Sequence, residues 1–205
     1  MRVAAAALTL LLTACGQGGR TEAAMSASGQ HAAVTLGHIR PVQPAARIDM
    51  VSDALGADGS MDLRHTAYGD NLSPPLRWTP VEGARAYAIV LEDPDAPKAT
   101  PFVHWLIWNI PSTEISLPEG LPTRAKLSDP PGAAQGRNDD GGTGYFGPRP
   151  PAGSGVHHYH FQIFALDGPL ALAPGANLPD LTAALQGHVL ADGELVGTFE
   201  APKGH

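Results

Sequence analysis

Asp93 and Asp95 fall in the run Asp93-Pro-Asp-Ala-Pro97, His104 follows shortly after, and His157 and Tyr159 sit at alternate positions of a later segment. Imidazole and phenol donate hydrogen bonds to an anion, and a carboxylate beside an imidazole selects its tautomer and favours its charged form. With an ordinary imidazole pKa near about 6.5, anion binding by such a site is expected to weaken as pH rises. Asp93, His104 and His157 would also make a two-histidine, one-carboxylate metal set or an acid–base pair. No serine or cysteine nucleophile is identified beside them, which counts against covalent catalysis. A lone histidine such as His104, set among apolar residues, is more often a satisfied core residue than a functional group.

These groups must be positioned by strands. Residues 86–92 and 102–110 are apolar at nearly every position, as expected of strands in the middle of a sheet covered on both faces. Pro94 and Pro97 fix the backbone between them and make a rigid corner. The short connection allows an antiparallel return that brings Asp93 and His104 to one end of the sheet. On its strand, His104 is expected to share a face with Phe102, Leu106, Trp108 and Ile110. The segment from His157 to Asp167 alternates, with His157, Tyr159, Phe161, Ile163 and Ala165 on one face and His158, His160, Gln162, Phe164 and Leu166 on the other. His157 and Tyr159 thus open an apolar stripe as the polar mouth of a pocket, while His158 and His160 are expected to meet solvent. The glycine-rich run 135–155 leads into this strand, and residues 147–155, Pro151 among them, are expected to form the pocket rim.

Residues 194–200 alternate charged and apolar groups as an edge strand does. One helix is expected near the end, with Asn177 as N-cap, Pro179 in its first turn, Leu181, Leu185 and Val189 on one face, and Gly187 inside it.

The beginning of the chain addresses the compartment. Arg2 precedes an apolar run, Val3 to Leu12, too short to span a bilayer, and Leu12-Thr13-Ala14-Cys15 follows. Residues 1–14 are expected to be a signal peptide resembling that of bacterial lipoproteins, with Cys15 lipidated after cleavage. Cys15 is the single cysteine, so an exported domain holds no internal disulfide. Gly16 rather than Asp after it favours the outer membrane, facing the periplasm. Residues 15–46 are small and polar and are expected to be a flexible linker, with the domain running over 47–205. The chain has 13 Lys and Arg against 20 Asp and Glu, a formal charge of −7, and no basic cluster. That balance excludes nucleic acid as a partner.

Taken together, Ser73-Pro-Pro-Leu-Arg-Trp78, Asp93-Pro-Asp-Ala-Pro97, His104-Trp105, the 135–151 loop and Gly153-Ser-Gly-Val-His-His-Tyr159 resemble the phosphatidylethanolamine-binding protein family, in particular its bacterial Raf-kinase-inhibitor-like branch. The likeness also takes in Ala184-Leu-Gln-Gly-His-Val-Leu-Ala191 and Leu195-Val-Gly-Thr198. The resemblance implies a mostly β fold, with a large antiparallel sheet packed with a smaller sheet and a few peripheral helices. It implies a non-enzymatic binding module, without metal or cofactor, whose pocket accepts a small phosphate or carboxylate anion. Its pocket residues fall on Asp93, His104, His157 and Tyr159, with Asp95 and Pro151 nearby. A protein partner that is inhibited or regulated, and a homodimer, also follow from the resemblance. The chain departs from eukaryotic members by ending soon after its last strand, without their C-terminal helix, and Asp140 adds an acid that would oppose an anion. Two other functions stand beside this one: a metal-dependent or acid–base hydrolase using Asp93, His104 and His157, and an envelope scaffold or protease inhibitor acting through its surface.

Overall fold

The computed structural model describes residues 34–39, 41–42 and 47–204. Cys15, the leader before it and most of the expected linker lie outside the described residues. Among the described residues the strands are β1 (Met50–Val51), β2 (Leu76–Trp78), β3 (Ala86–Asp93), β4 (Phe102–Pro111), β5 (Ser116–Leu117), β6 (Ala134–Gln135), β7 (Val156–Leu166) and β8 (Val189–Glu200), with one α-helix, α1 (Leu178–Leu185), before the last. They form a five-stranded sheet in the order β6-β4-β3-β7-β8 and a three-stranded sheet in the order β1-β2-β5. Every strand pairing in both sheets is antiparallel. The expected architecture of a large and a smaller antiparallel sheet with little helix is the one observed.

β3 sits at the centre of the large sheet and is buried along its whole length, as its uninterrupted apolar composition requires. Tyr87, Ile89 and Leu91 face the small sheet and pack with Trp105, Ile107, Phe161, Met50, Leu76 and Trp78. Ala86, Ala88 and Val90 face the other way, into a second core with Leu106, Trp108 and Phe164 that α1 covers through Leu181 and Leu185. The Asn177 side chain caps α1 by accepting from the Asp180 N–H at 2.9 Å. Helical spacing carries no further than Leu185: Gly187, expected inside the helix, lies past its end at φ +80°, and Val189 opens β8. A left-handed glycine there ends the helix and lets the chain turn back into the sheet.

Two irregularities in β4 overturn the expected face for His104. Leu91 pairs with Trp105 and Glu92 with Val103, so His104 is an extra residue on β4. A bulge of this kind resets the alternation. As a result Leu106 and Trp108 fall in the second core, while Trp105, Ile107 and Ile110 fall in the first. His104 instead shares the end of the sheet with Phe102 and the Asp93 to which Phe102 is paired. The second irregularity lies between Tyr87 and Ile89, at Asn109, which adopts φ +58° and exchanges two hydrogen bonds with the backbone of Leu170.

β8 begins at Val189, earlier than expected, and occupies the edge of the large sheet. Its outer side is partly covered, because the Ile48 and Met61 N–H groups donate to the carbonyls of Asp192 and Thr198 at 2.9 and 2.8 Å. Gly193 permits that approach, since a Cβ there would run into the Ile48 carbonyl. The segment expected as linker is also in part packed. Thr35–His38 form a short 3-10 helix, Ile39 is buried in the second core, and the Thr35 N–H donates to Glu92 Oε2 at 2.7 Å. A buried carboxylate needs such donors, and Gln162 Nε2 supplies the other at 2.7 Å.

Candidate functional site

The corner after β3 is built around the Asp93 carboxylate. Its Oδ1 accepts from the backbone N–H groups of Asp95 and Ala96 at 2.8 and 3.1 Å, which closes the turn locally. Its Oδ2 lies 2.8 Å from His157 Nδ1, and both side chains are almost fully buried. A carboxylate accepts, so Nδ1 carries the proton and Nε2 is left with its lone pair when the ring is neutral. Strand pairing makes this contact possible: β3 lies between β4 and β7, and the end of β3 meets the start of both neighbours.

His104 is held differently. Its Nδ1 is 2.7 Å from the Phe146 carbonyl, which can only accept, so this nitrogen also bears the proton. Burial lowers the His104 pKa to about 4, against the Phe146 hydrogen bond and the charges of Asp93 and Asp139, which act in the opposite direction. His104 is therefore neutral at physiological pH, with an acceptor at Nε2. Its ring packs on Phe102 at 4.7 Å and meets the Tyr159 ring edge-on at 5.3 Å. Tyr159 also stacks on His157 at 6.5 Å. The Tyr159 hydroxyl is buried and has no hydrogen-bond partner among the described residues. Burial, with Asp93 adding to it, pushes its pKa above the ordinary phenol value, so it remains a donor.

A cavity of about 290 Å³ opens here, lined by Asp93, His104 and His157 over a floor that includes Phe102 and Phe146. Pro151 lines it from the rim, as the order of the sequence suggests, and Arg149 and Asp140 join from exposed positions. Lys98 also lines the cavity, 2.6 Å from Asp139 and 5.0 Å above the Phe102 ring. Asp95 takes a different place. Its Oδ2 accepts from the His158 N–H and faces His158 Nδ1, both at 2.8 Å, so it ties the corner to the start of β7. His158 and His160 do more than meet solvent, since His160 Nδ1 lies 2.8 Å from Glu194. Among the described residues, no group of three His, Cys, Asp or Glu is arranged to hold a metal ion.

Ser154 Oγ lies 2.9 Å from His157 Nε2 and 2.8 Å from the Pro151 carbonyl, although no nucleophile is expected there from the sequence. The spacing Ser154-Gly-Val-His157 carries the signal, because glycines at 153 and 155 with φ +81° and +86° turn the chain so that residue 154 meets the side chain three positions on. A larger cavity, about 890 Å³, lies around Glu92, Arg137 and the start of α1, and Lys98 lines both cavities.

Residues 51–200 match the family model for phosphatidylethanolamine-binding protein. The chain belongs to the phosphatidylethanolamine-binding protein family. It is 46% identical over 151 residues to a UPF0098 protein of Pyrococcus abyssi, a match covering 73% of this chain and 84% of the relative. A Mycobacterium tuberculosis protein named as a candidate lipoprotein, LppC, is 34% identical over 201 residues, covering 98% of this chain and 95% of that one. Among solved structures, Escherichia coli YbcL, described as a new member of the mammalian family, superposes with a TM-score of 0.70 at 31% identity, over 77% of this chain and all of YbcL. The Chlamydia trachomatis homologue CT736 gives 0.67 at 30% identity, covering 76% of this chain and 99% of that one.

Proposed function

We propose that this protein is a lipid-anchored envelope binding module whose pocket takes the protonated oxyanion of a phosphate monoester. The unpartnered Tyr159 hydroxyl carries this reading. A buried donor without an acceptor costs about 1–3 kcal/mol. Tyr159 packs under the lining rings of His104 and His157 rather than lining the cavity itself, and we infer that an oxygen of the bound group reaches its hydroxyl between them. Neutral His104 offers a lone pair rather than a proton, so the ligand that fits brings its own hydrogen. A phosphate monoester keeps that hydrogen up to about pH 6, whereas a carboxylate is already bare there. Arg149 and Lys98 offset the charge of the ligand, and Asp140 opposes it.

O-phosphoserine titrated into the purified domain between pH 5.5 and 8 is expected to bind more weakly as pH rises, because the ligand and His104 then share no proton. Tyr159→Phe is expected to cost about 1.5–3 kcal/mol, the range for hydrogen bonds to charged groups. His158→Ala, whose ring contacts Asp95 outside the cavity, is expected to bind as wild type does. Equal affinity in Tyr159→Phe and wild type would remove the basis of this proposal.

The anchor rests on the lipoprotein-like leader and on the match to the LppC relative, which extends over nearly the whole chain. Among the described residues no helix is long and apolar enough to cross a membrane. Cys15→Ser is expected to move the protein from the membrane to the soluble fraction or to leave an uncleaved precursor. Membrane-bound, lipid-labelled Cys15→Ser protein would contradict the assignment. The outer membrane, facing the periplasm, is the site that Gly16 favours.

A further inference from the structure

We propose that Ser154, His157 and Asp93 form a nucleophile–base–orienter triad, and that the pocket rim attacks esters of short acyl groups through Ser154. Ser154 Oγ is 2.9 Å from His157 Nε2, and His157 Nδ1 is 2.8 Å from Asp93 Oδ2. These are the two contacts that activation of a serine requires, in the required order along one imidazole. The orienting carboxylate is itself held, since two backbone N–H groups occupy its other oxygen. His157 and Asp93 are buried, whereas Ser154 is exposed and open to a substrate.

The proton inventory agrees with this arrangement. Asp93 keeps the His157 hydrogen on Nδ1, so Nε2 is an acceptor aimed at the serine oxygen. The Ser154 hydroxyl hydrogen has two acceptors within reach, Nε2 and the Pro151 carbonyl. Turning it from the second to the first prepares the attack. Gly155, one residue after the nucleophile, donates its N–H to no acceptor among the described residues. An N–H at that position is one of the two usual donors to the oxyanion of a tetrahedral intermediate. The apolar side of the cavity, with Phe102, Phe146 and Pro151, accommodates a short acyl chain.

The reaction balances without any further reagent than water. Ser154 Oγ bonds to the ester carbonyl carbon as its hydrogen passes to His157 Nε2. The carbon–oxygen bond to the alcohol then breaks, and the alcohol leaves with the hydrogen from Nε2. Water, deprotonated by the same nitrogen, cleaves the acyl-serine to the acid and restores the hydroxyl.

The test is covalent labelling of the full purified protein with an alkyl fluorophosphonate, in which Oγ bonds to phosphorus and fluoride leaves, followed by intact mass and peptide mapping. One phosphonyl group on Ser154 is expected. Ser154→Ala is expected to take none, and His157→Gln to label at least about 100-fold more slowly, the lower range for a general base. Asp93→Asn serves if His157→Gln does not fold, and is expected to slow labelling as well, because an amide no longer keeps the hydrogen on Nδ1. In the same samples, short-chain p-nitrophenyl ester turnover is expected to vanish with Ser154→Ala. Absence of label on folded wild type, label on another residue, or unchanged labelling in both the His157 and Asp93 variants would overturn the triad. The O-phosphoserine titration reads the anion site without Ser154 chemistry, so failure of one proposal and failure of the other are separate results.

Discussion

Asp93→Ala is expected to destabilise the domain by about 3–5 kcal/mol, because a buried donor left without its acceptor costs about 1–3 kcal/mol and several are left so. Three donors lose their acceptor at once: the N–H groups of Asp95 and Ala96 and His157 Nδ1. The corner that follows β3 then has no internal hydrogen bond from residue 93, and the imidazole at the start of β7 has no partner in a position almost closed to water. Asp93→Asn separates the two roles of this residue. Its amide oxygen continues to accept from the turn, but its NH2 faces Nδ1, so His157 must carry its hydrogen on Nε2 and present a donor to Ser154. The expected loss is smaller, about 1–3 kcal/mol, with the rim chemistry changed. Urea unfolding measures both, with the slope held constant across variants. An alanine variant within 1 kcal/mol of wild type would mean that water replaces Asp93 without penalty.

The second large effect appears in acid. His104 has a folded pKa of about 4 against an ordinary value of 6.5, with burial as the main cause. The unfolded chain therefore binds a proton that the folded chain refuses throughout that interval. Stability is complete above pH 6.5, falls as pH drops toward 4, and levels below it, where His104 is charged in both states. The loss attributable to this one group is on the order of 3 kcal/mol. Carboxylates titrate in the same region, so the difference between wild type and His104→Gln isolates the histidine. Glutamine retains an N–H donor for the Phe146 carbonyl and cannot titrate. Its unfolding midpoint is expected to depend less steeply on pH between 4 and 6.5. Parallel profiles for the two proteins would show that His104 protonates in the fold without resistance.

Much of this architecture is written in local composition. An apolar run without alternation can only be a strand covered on both faces, and β3 and β4 are such strands. Alternation along residues 157–166 assigns Tyr159, Phe161 and Ile163 to one core and Phe164 and Leu166 to the other, as observed. Asn177 caps the helix because its side chain reaches an N–H three residues on, a contact that needs nothing distant. The order of the Asp, His and Tyr motifs likewise identified the family.

Tertiary structure decided what depends on pairing between distant segments. The face of His104 turns on one extra residue in β4, which local periodicity cannot register because a bulge exists only relative to the strand opposite. Asp95 turns to His158 rather than to the cavity since β7 brings a competing N–H within 2.8 Å. Residues 34–39 look like linker in composition, yet the buried Glu92 carboxylate, supplied by a strand more than fifty positions away, gives the Thr35 N–H a partner. Ser154 is the sharpest case. A serine between glycines reads as loop, and it meets an oriented imidazole only because β3 and β7 pair side by side and carry Asp93 and His157 into one buried contact beneath it.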